Sequence, residues 1–332
     1  MTGSPVLEVR NLRIEFPTRR GPLVAVDGAS FTIAPGEILG VVGESGAGKS
    51  LTGTAIIGLL EPPGRVAGGE ILLEGERIDK LAHDAMRRIR GRRIGAIFQD
   101  PLTSLNPLYT VGAQLVETIR THLDVDAAGA RARALSLLRK VGIPAPEARI
   151  DQYPHQFSGG MRQRVVIALA LCAEPRLIIA DEPTTALDVS IQAQIIQLLK
   201  RLARERGTAV MLITHDMGVI AETADRVAVM YAGRIAEIGP VREVVRAARH
   251  PYTVGLMGAI PKIGAGAGKH RARLVQIEGA MPRLNAIPSG CAFHPRCGSC
   301  FDRCTRERPE PRPIGSNLAA CWLYDEQRTA KT

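Results

Sequence analysis

The stretch Gly43-Glu44-Ser45-Gly46-Ala47-Gly48-Lys49-Ser50 decides the fold of this chain, because its spacing is that of a phosphate-binding loop, G-x-x-x-x-G-K-S. It follows the apolar run 38–42 and precedes the helix-prone run 51–57, as such a loop requires. Its glycines let the backbone turn N–H groups toward an oxyanion, and the helix N-terminus adds partial positive charge. Lys49 can reach the β- and γ-phosphates, and the Ser50 hydroxyl can ligate Mg²⁺. The stretch therefore predicts a nucleotide site.

The composition limits the classes of protein to which this chain could belong. The 332 residues suffice for about two domains, and an apolar content of 45% is typical of a folded globular protein. No apolar run approaches the ~20 residues of a membrane helix. The N-terminus has no basic segment followed by an apolar one, so we expect no signal peptide and a cytoplasmic protein. The net charge of +10 raises nucleic acid or an anionic membrane as partners, but a solvated arginine-rich surface is the simpler interpretation.

The order of apolar runs predicts an α/β protein with a mainly parallel central sheet. Alternating residues in 6–16 predict an early strand, which ends at Phe16 and places that ring either against adenine or in the core. A helical insertion is expected from Val111 to Val141, and the strand 177–181 precedes an amphipathic helix over 191–204. Ligands of such sheets bind at the carboxyl ends of the strands, where four polar residues fall: Gln99, Asp181, Glu182 and His215.

One of these strand ends and one helix start carry specific chemistry. Asp181 can hold Mg²⁺, and the adjacent Glu182 can orient or deprotonate an attacking water. The simpler alternative is that both acids cap a strand-to-helix turn. Ser158-Gly159-Gly160 opens a helix with Ser158 as its N-cap and forms a second anion site without a lysine. Two phosphate-binding segments in one chain suggest a nucleotide that is shared.

These motifs resemble, in order and spacing, those of an ABC-type ATPase subunit over residues 6–260. The corresponding segments are Walker A (43–50), the Q-loop (Gln99), the signature (157–161), Walker B (177–182), the D-loop (186–188) and the H-loop (His215). The signature has Phe157 and Met161 where Leu and Gln are commonest, but its Ser-Gly-Gly part is intact.

The resemblance implies a head-to-tail dimer that holds two ATP molecules with Mg²⁺. Glu182 would be the general base, Asp181 a Mg²⁺ partner, Gln99 a sensor of Mg²⁺ and γ-phosphate, and His215 a γ-phosphate switch. The partner subunit would present its own Ser158 and Gly160 segment to the nucleotide. The remaining ATP-binding positions would be Gly43, Ser45, Gly46, Gly48, Lys49, Ser50, Leu51 and Phe16.

Three further segments resemble the ATPases of dipeptide/oligopeptide importers: 99–107, 250–253 and 293–297. In that group two different ATPase subunits pair beneath two permease subunits, and an extracytoplasmic binding protein supplies the peptide. The chain would then lie on the cytoplasmic face of the inner membrane, with no nucleic-acid partner. Importers of nickel or glutathione share these motifs and remain alternatives. A DNA-associated ABC ATPase is a less favoured alternative.

Five of the six cysteines crowd the tail, whereas Cys172 lies alone in an apolar stretch and is expected to be a buried small hydrophobe. Four thiolates are what a cubane cluster needs, and in this importer family four tail cysteines are similar to [4Fe–4S] ligands. The matching residues are Cys291, Cys297, Cys304 and Cys321. Cys300 is additional and makes a C-x-x-C spacing that zinc sites also use, so Zn²⁺ or reduced structural thiols remain alternatives.

Arg296 and Arg303 are expected to offset the charge of such a cluster and to lower the thiol pKa values. We expect an ATPase domain over residues 1–260, with an antiparallel β subdomain and a helical subdomain at about 101–165, and a cysteine-containing extension over 261–332. A glycine-rich segment, 264–269, would link the two.

Overall fold

The computed structural model describes residues 4–184, 188–260 and 276–325. The predicted linker 264–269 and the D-loop residues Ala186 and Leu187 lie outside these ranges.

An eight-stranded sheet positions the nucleotide motifs, with the strand order β11-β12-β10-β9-β3-β8-β7-β6. Five adjacent strands of it, β9, β3, β8, β7 and β6, are parallel, which confirms the predicted mainly parallel sheet. The strands are β3 (Ile38–Val42), β6 (Ile94–Ile97), β7 (Leu177–Asp181), β8 (Ala209–Ile213), β9 (Arg226–Tyr231), β10 (Arg234–Pro240), β11 (Arg312–Ile314) and β12 (Asn317–Ala319).

The parallel strands are buried on both faces because each face packs against a different layer. In β3, Ile38 and Val42 join a core formed with the helices, whereas Leu39 and Val41 join a second core formed with a smaller sheet. That sheet is antiparallel, with the order β2-β1-β4-β5. Its strands are β1 (Leu7–Phe16), β2 (Leu23–Ile33), β4 (Arg65–Leu73) and β5 (Glu76–Arg77).

The predicted helical insertion forms as two helices, α4 and α5, which pack against each other and against α7. Asp126 caps α5 by accepting a hydrogen bond from the Gly129 N–H. The helices are α1 (Lys49–Ile56), α2 (His83–Ile89), α3 (Pro101–Ser104), α4 (Val111–His122), α5 (Ala127–Lys140), α6 (Pro146–Arg149), α7 (Gly159–Leu171), α8 (Val189–Arg206), α9 (Met217–Thr223), α10 (Val241–Arg246), α11 (Pro251–Gly258) and α12 (Asp302–Arg306). Among the described residues, no helix is both long and apolar enough to cross a membrane.

The cysteine-containing extension adds strands to the central sheet, which the sequence pattern did not predict. Strands β11 and β12 form a short hairpin, and β12 pairs antiparallel with β10, placing Ala319 opposite Glu237. The buried Glu237 carboxylate accepts a hydrogen bond from the Asn317 side chain at 2.8 Å. The extension is therefore joined to the ATPase core through backbone and side-chain contacts.

Candidate active site

The phosphate loop has the geometry that its glycines predict. Gly43, Gly46 and Gly48 have φ angles of 151°, 84° and 97°, a range that residues with a side chain rarely adopt. At Gly43 a Cβ atom would lie 2.3 Å from the Met230 carbonyl oxygen. The loop therefore packs its backbone against β9 and turns sharply into α1.

Lys49 lies at the first position of α1 and is buried. Its ammonium donates hydrogen bonds to the carbonyl oxygens of Gly43, at 2.8 Å, and Glu44, at 3.0 Å. Burial lowers the pKa of Lys49, and the nearby carboxylates of Glu182, Asp181 and Glu44 oppose that shift. The loop thus holds a desolvated cation that favours an anionic ligand.

Ser50 and Asp181 form the candidate Mg²⁺ site. The Ser50 hydroxyl donates a hydrogen bond of 3.0 Å to the Asp181 carboxylate, which links the phosphate loop to the end of β7. Burial raises the pKa of Asp181, while the Ser50 hydrogen bond lowers it. Hydroxyl and carboxylate oxygens are ligands that Mg²⁺ prefers, so this pair fits the ion.

The three predicted catalytic residues meet at the ends of neighbouring strands. Gln99 follows β6, Glu182 follows β7 and His215 follows β8. The Gln99 amide donates to one Glu182 carboxylate oxygen at 3.2 Å, and His215 Nδ1 lies 3.2 Å from the other. Glu182 also has a φ of 46°, a left-handed backbone conformation that is unusual for glutamate and is found at functional sites.

The signature segment lies at the start of α7, in the helical part of the molecule. Ser158 is the N-cap of this helix, as predicted, and its hydroxyl accepts a hydrogen bond from the Met161 N–H at 3.3 Å. Ser158 and Gly159 are exposed. A Cβ atom at Gly160 would lie 2.9 Å from the Ile191 side chain, so glycine lets α7 approach α8.

The remaining predicted nucleotide contacts differ in exposure. Ser45 and Gly46 are exposed at the turn of the loop, whereas Leu51 packs on the second core. Phe16 is half-buried, and its ring lies 2.7 Å from where a Cβ atom of Gly64 would be. The site residues therefore divide into a connected group around Lys49 and Glu182, and an exposed group at Ser45 and Ser158.

The four predicted cluster ligands line one small pocket: Cys291, Cys297, Cys304 and Cys321. Within the described ranges, however, no group of three or more histidine, cysteine, aspartate or glutamate residues is placed to hold a metal ion, so the structure does not confirm the iron–sulfur ligands. Cys300 is exposed. Cys172 is buried, as expected, and burial raises its pKa to about 11.

The prediction that the neighbouring arginines lower the thiol pKa values is wrong. Burial raises the pKa of Cys291 and of Cys321 to about 11 and also raises the pKa of Cys297. The arginines are engaged elsewhere: Arg296 pairs with Glu44, and the Arg303 guanidinium lies 3.6 Å from the centre of the Trp322 ring. Desolvation by burial is therefore the largest influence on the pKa values of these three thiols.

The sequence did not predict that residues far along the chain hold the phosphate loop in place. The Glu44 N–H donates to the Tyr252 hydroxyl at 2.9 Å, and the Glu44 carboxylate accepts two hydrogen bonds from Arg296. These partners lie 208 and 252 residues from Glu44 along the chain. In the sequence, this contact was indicated only by a glutamate inside the phosphate loop and an arginine inside the segment 293–297.

Comparison with known proteins places this site in a family. Residues 26–185 match the family described as ABC transporter, and residues 236–304 match the oligopeptide/dipeptide transporter C-terminal region. The dipeptide transport ATP-binding protein DppD of Bacillus subtilis is 48% identical over 324 residues, which cover 97% of this chain and 96% of that protein. The chain belongs to the dipeptide/oligopeptide family of ABC transporter ATP-binding subunits.

Other members of the ABC family agree with this assignment. The DppD protein of Haemophilus influenzae is 45% identical over 316 residues, which cover 95% of this chain and 94% of that protein. A bacterial ABC transporter cassette whose structure was solved as a dimer superposes with a TM-score of 0.64 at 30% identity, covering 71% of this chain and 99% of the cassette. As an ABC transporter ATP-binding subunit, the chain is an ATPase.

Proposed function

We propose that this chain hydrolyses ATP to power the uptake of dipeptides and oligopeptides through an ABC importer. The observation that carries the proposal is the convergence of Gln99 and His215 on the two carboxylate oxygens of Glu182, next to Lys49 and Ser50. The peptide substrate is inferred from the relatives, which are named as dipeptide transport proteins and match nearly the whole chain.

The residues of the site divide the chemistry between them. Lys49 binds the phosphates, and Ser50 and Asp181 would hold Mg²⁺, which neutralises phosphate charge when it is bound. Glu182 orients and deprotonates the attacking water. Gln99 and His215 each fix one oxygen of that carboxylate, so a contact of either residue with the γ-phosphate can change the position of Glu182.

We further propose that the site is completed by a second ATPase subunit. Ser158 and Gly159 are exposed at a helix N-terminus, which is where a partner's phosphate would find free N–H groups. The exposed Val189, at the start of α8 beside the D-loop, supports an interface at the same face, because 83% of its surface is accessible in the single chain. A partner of the same fold, arranged head to tail, would complete both nucleotide sites. We infer that the two subunits differ in sequence.

The segment after Gln99 is the proposed docking surface for two permease subunits. Leu108 and Tyr109 expose 79% and 56% of their surface, and Phe98, just before Gln99, exposes 43%. Exposed large apolar residues grouped in this way are typical of protein interfaces. Docking here would hold the chain at the cytoplasmic face of the inner membrane and couple permease motion to Gln99. A substrate-binding protein would deliver the peptide from the other side.

We propose a [4Fe–4S] cluster as the occupant of the cysteine pocket. The pocket brings together four thiols, the number that a cubane needs. A single zinc ion, held by thiolates at about 2.3 Å, is the alternative occupant. Because burial raises the pKa of Cys291, Cys297 and Cys321, binding of the cluster would release protons from these thiols.

Glu182→Gln tests the hydrolysis. The amide keeps the shape of the side chain but cannot take a proton, so we expect ATP binding to persist and turnover to fall by more than about 100-fold. ATP titration and phosphate release measure the two properties. Glu205→Gln, on an exposed face of α8, is the matched control and should leave both unchanged. Normal turnover in Glu182→Gln would rule out Glu182 as the base.

The transport assignment needs its own measurement. The complete importer, reconstituted in vesicles with its permeases and binding protein, should accumulate a labelled dipeptide only when ATP is inside. The Glu182→Gln subunit should abolish this accumulation. ATP-dependent accumulation of nickel or glutathione without peptide uptake would contradict the peptide assignment while leaving the ATPase assignment intact.

A further inference from the structure

Arg296 of the extension reaches the phosphate loop. Its guanidinium forms a two-point ion pair with Glu44, the second residue of the loop, with nitrogen–oxygen distances of 2.9 Å and 3.0 Å. Only 7% of the Arg296 side chain is exposed, compared with 28% for Glu44. A paired geometry of this kind fixes both the position and the orientation of the carboxylate.

The rest of the Arg296 side chain is also held. Nε donates to the Glu278 carbonyl oxygen at 2.8 Å, and a terminal nitrogen donates to the Gly279 carbonyl oxygen at 3.3 Å. The guanidinium carbon lies 5.8 Å from the centre of the Tyr231 ring and 5.9 Å from that of Phe293. Arg296 is therefore a rigid support, since its donors and its planar face are both engaged.

Glu44 passes this support on to the lysine that binds phosphate. The Glu44 carbonyl oxygen accepts one of the two hydrogen bonds described above for the Lys49 ammonium, and the Glu44 N–H donates to the buried Tyr252 hydroxyl. A shift of Glu44 would therefore move an acceptor of Lys49. The contacts run from Arg296 through Glu44 to Lys49.

Attachment of the extension to the core does not depend on this ion pair. Strand β12 pairs with β10, Asn317 donates to the buried Glu237, and Arg234 bonds Glu310 at 3.1 Å. Arg308 also pairs with Asp27 of β2. Since these contacts already hold the extension in place, we expect loss of Arg296 to change the conformation of the phosphate loop and not the attachment of the extension.

We propose that Arg296 is a positioning residue for ATP binding, which acts through Glu44 to hold the phosphate loop and Lys49 in the conformation that binds phosphate. This goes beyond the proposed transport function, because it gives the C-terminal extension a direct part in the nucleotide site. It also explains why an acidic residue lies in a loop that binds an anion: its charge is neutralised by Arg296.

The test compares ATP binding by the purified full-length chain in three variants: Arg296→Gln, Glu44→Gln and the double substitution. Loss of hydrogen bonds between charged groups should raise the dissociation constant for ATP about tenfold in each single variant. Because both remove the same pair, the double variant should also lose about tenfold and not 100-fold. The KM for ATP should rise in parallel while kcat stays within about twofold.

Two controls separate positioning from general structure. Arg308→Gln removes another arginine that joins the extension to the core and should leave the dissociation constant unchanged. Arg296→Lys keeps one charged contact and should recover part of the affinity. If Arg296→Gln does not fold, the dissociation constant of Glu44→Gln for ATP still tests the proposal. Unchanged ATP affinity in Glu44→Gln, effects that multiply in the double variant, or an equal loss in Arg308→Gln would each overturn the proposal.

Discussion

Replacing Glu237 by methionine should be among the most destabilising single changes outside the nucleotide site. Glu237 is fully buried on β10, and its carboxylate accepts hydrogen bonds from the Arg249 N–H, the His250 N–H and the Asn317 side-chain amide. Methionine has a similar length but no acceptor for these donors. The change therefore keeps the volume and removes only the hydrogen bonds.

The magnitude follows from the donors that would lose their acceptor. The His250 N–H and the Asn317 amide belong to buried residues, and each buried donor left without a partner costs about 1–3 kcal/mol. The free energy of unfolding should therefore fall by about 4 kcal/mol in Glu237→Met. Strand β12 should lose hydrogen-exchange protection first, because Asn317 lies on it.

Glu237→Gln should be much milder, for a reason visible in Asn317. The buried Oδ1 atom of Asn317 has no hydrogen-bond partner. If the Asn317 amide rotates by half a turn, that oxygen can accept from the new glutamine amide, while the glutamine oxygen still accepts from the His250 N–H. The strengthening by charge and one of the two contacts of the Arg249 N–H are lost while its other contact remains, and the expected cost is about 1 kcal/mol.

Urea unfolding followed by circular dichroism measures both variants. Glu310→Met is the matched control, since Glu310 also joins the extension to the core through Arg234 but is 67% exposed, and an exposed pair contributes less than about 1 kcal/mol. The reasoning is refuted if Glu237→Met is no more destabilising than Glu310→Met, or if Glu237→Gln is as severe as Glu237→Met.

Two further outcomes are expected. Gly43→Ala should lower the free energy of unfolding by about 3 kcal/mol and weaken ATP binding, because its Cβ would collide with Met230. In Gly46→Ala the Cβ meets nothing within 4 Å, so the free energy of unfolding should fall by about 1 kcal/mol. Thermal melts and ATP titrations compare the two, and equal losses would contradict this account. Anaerobically purified protein should be brown and contain iron and sulfide, a property that Cys321→Ser should lose and Cys300→Ser should keep. A colourless protein that contains zinc would show the cluster proposal to be wrong.

Much of the site could be predicted because it follows from short-range rules. Gln99, Glu182 and His215 each lie within two residues of the end of an apolar run, and the carboxyl ends of parallel strands meet at one edge of a sheet. That rule is enough to bring them together without any knowledge of side-chain packing. The N-cap at Ser158 was predictable for the same reason, since a cap depends on residues within one helical turn.

The contacts of the extension could not be predicted in this way. The pair Arg296–Glu44 joins residues 252 positions apart, and no local pattern fixes such a contact. The strands β11 and β12 have three residues each, and β12 becomes regular only because β10 and β11 offer it backbone partners. The arginines were wrongly expected to lower the thiol pKa values for the same reason, because no local pattern shows that Arg296 pairs with Glu44 or that Arg303 stacks on Trp322.

The hairpin β11–β12 also matters for solubility of the chain. In the described structure β10 lies between β9 and β12, so its outer side is covered. Without the hairpin, the buried residues of β10 and its free N–H and C=O groups would form an open strand edge, to which another chain could add. A protein shortened to the ATPase domain alone is thus expected to self-associate, although its nucleotide motifs are complete. We therefore expect the extension to protect the edge of β10 from aggregation in addition to supplying the cysteines.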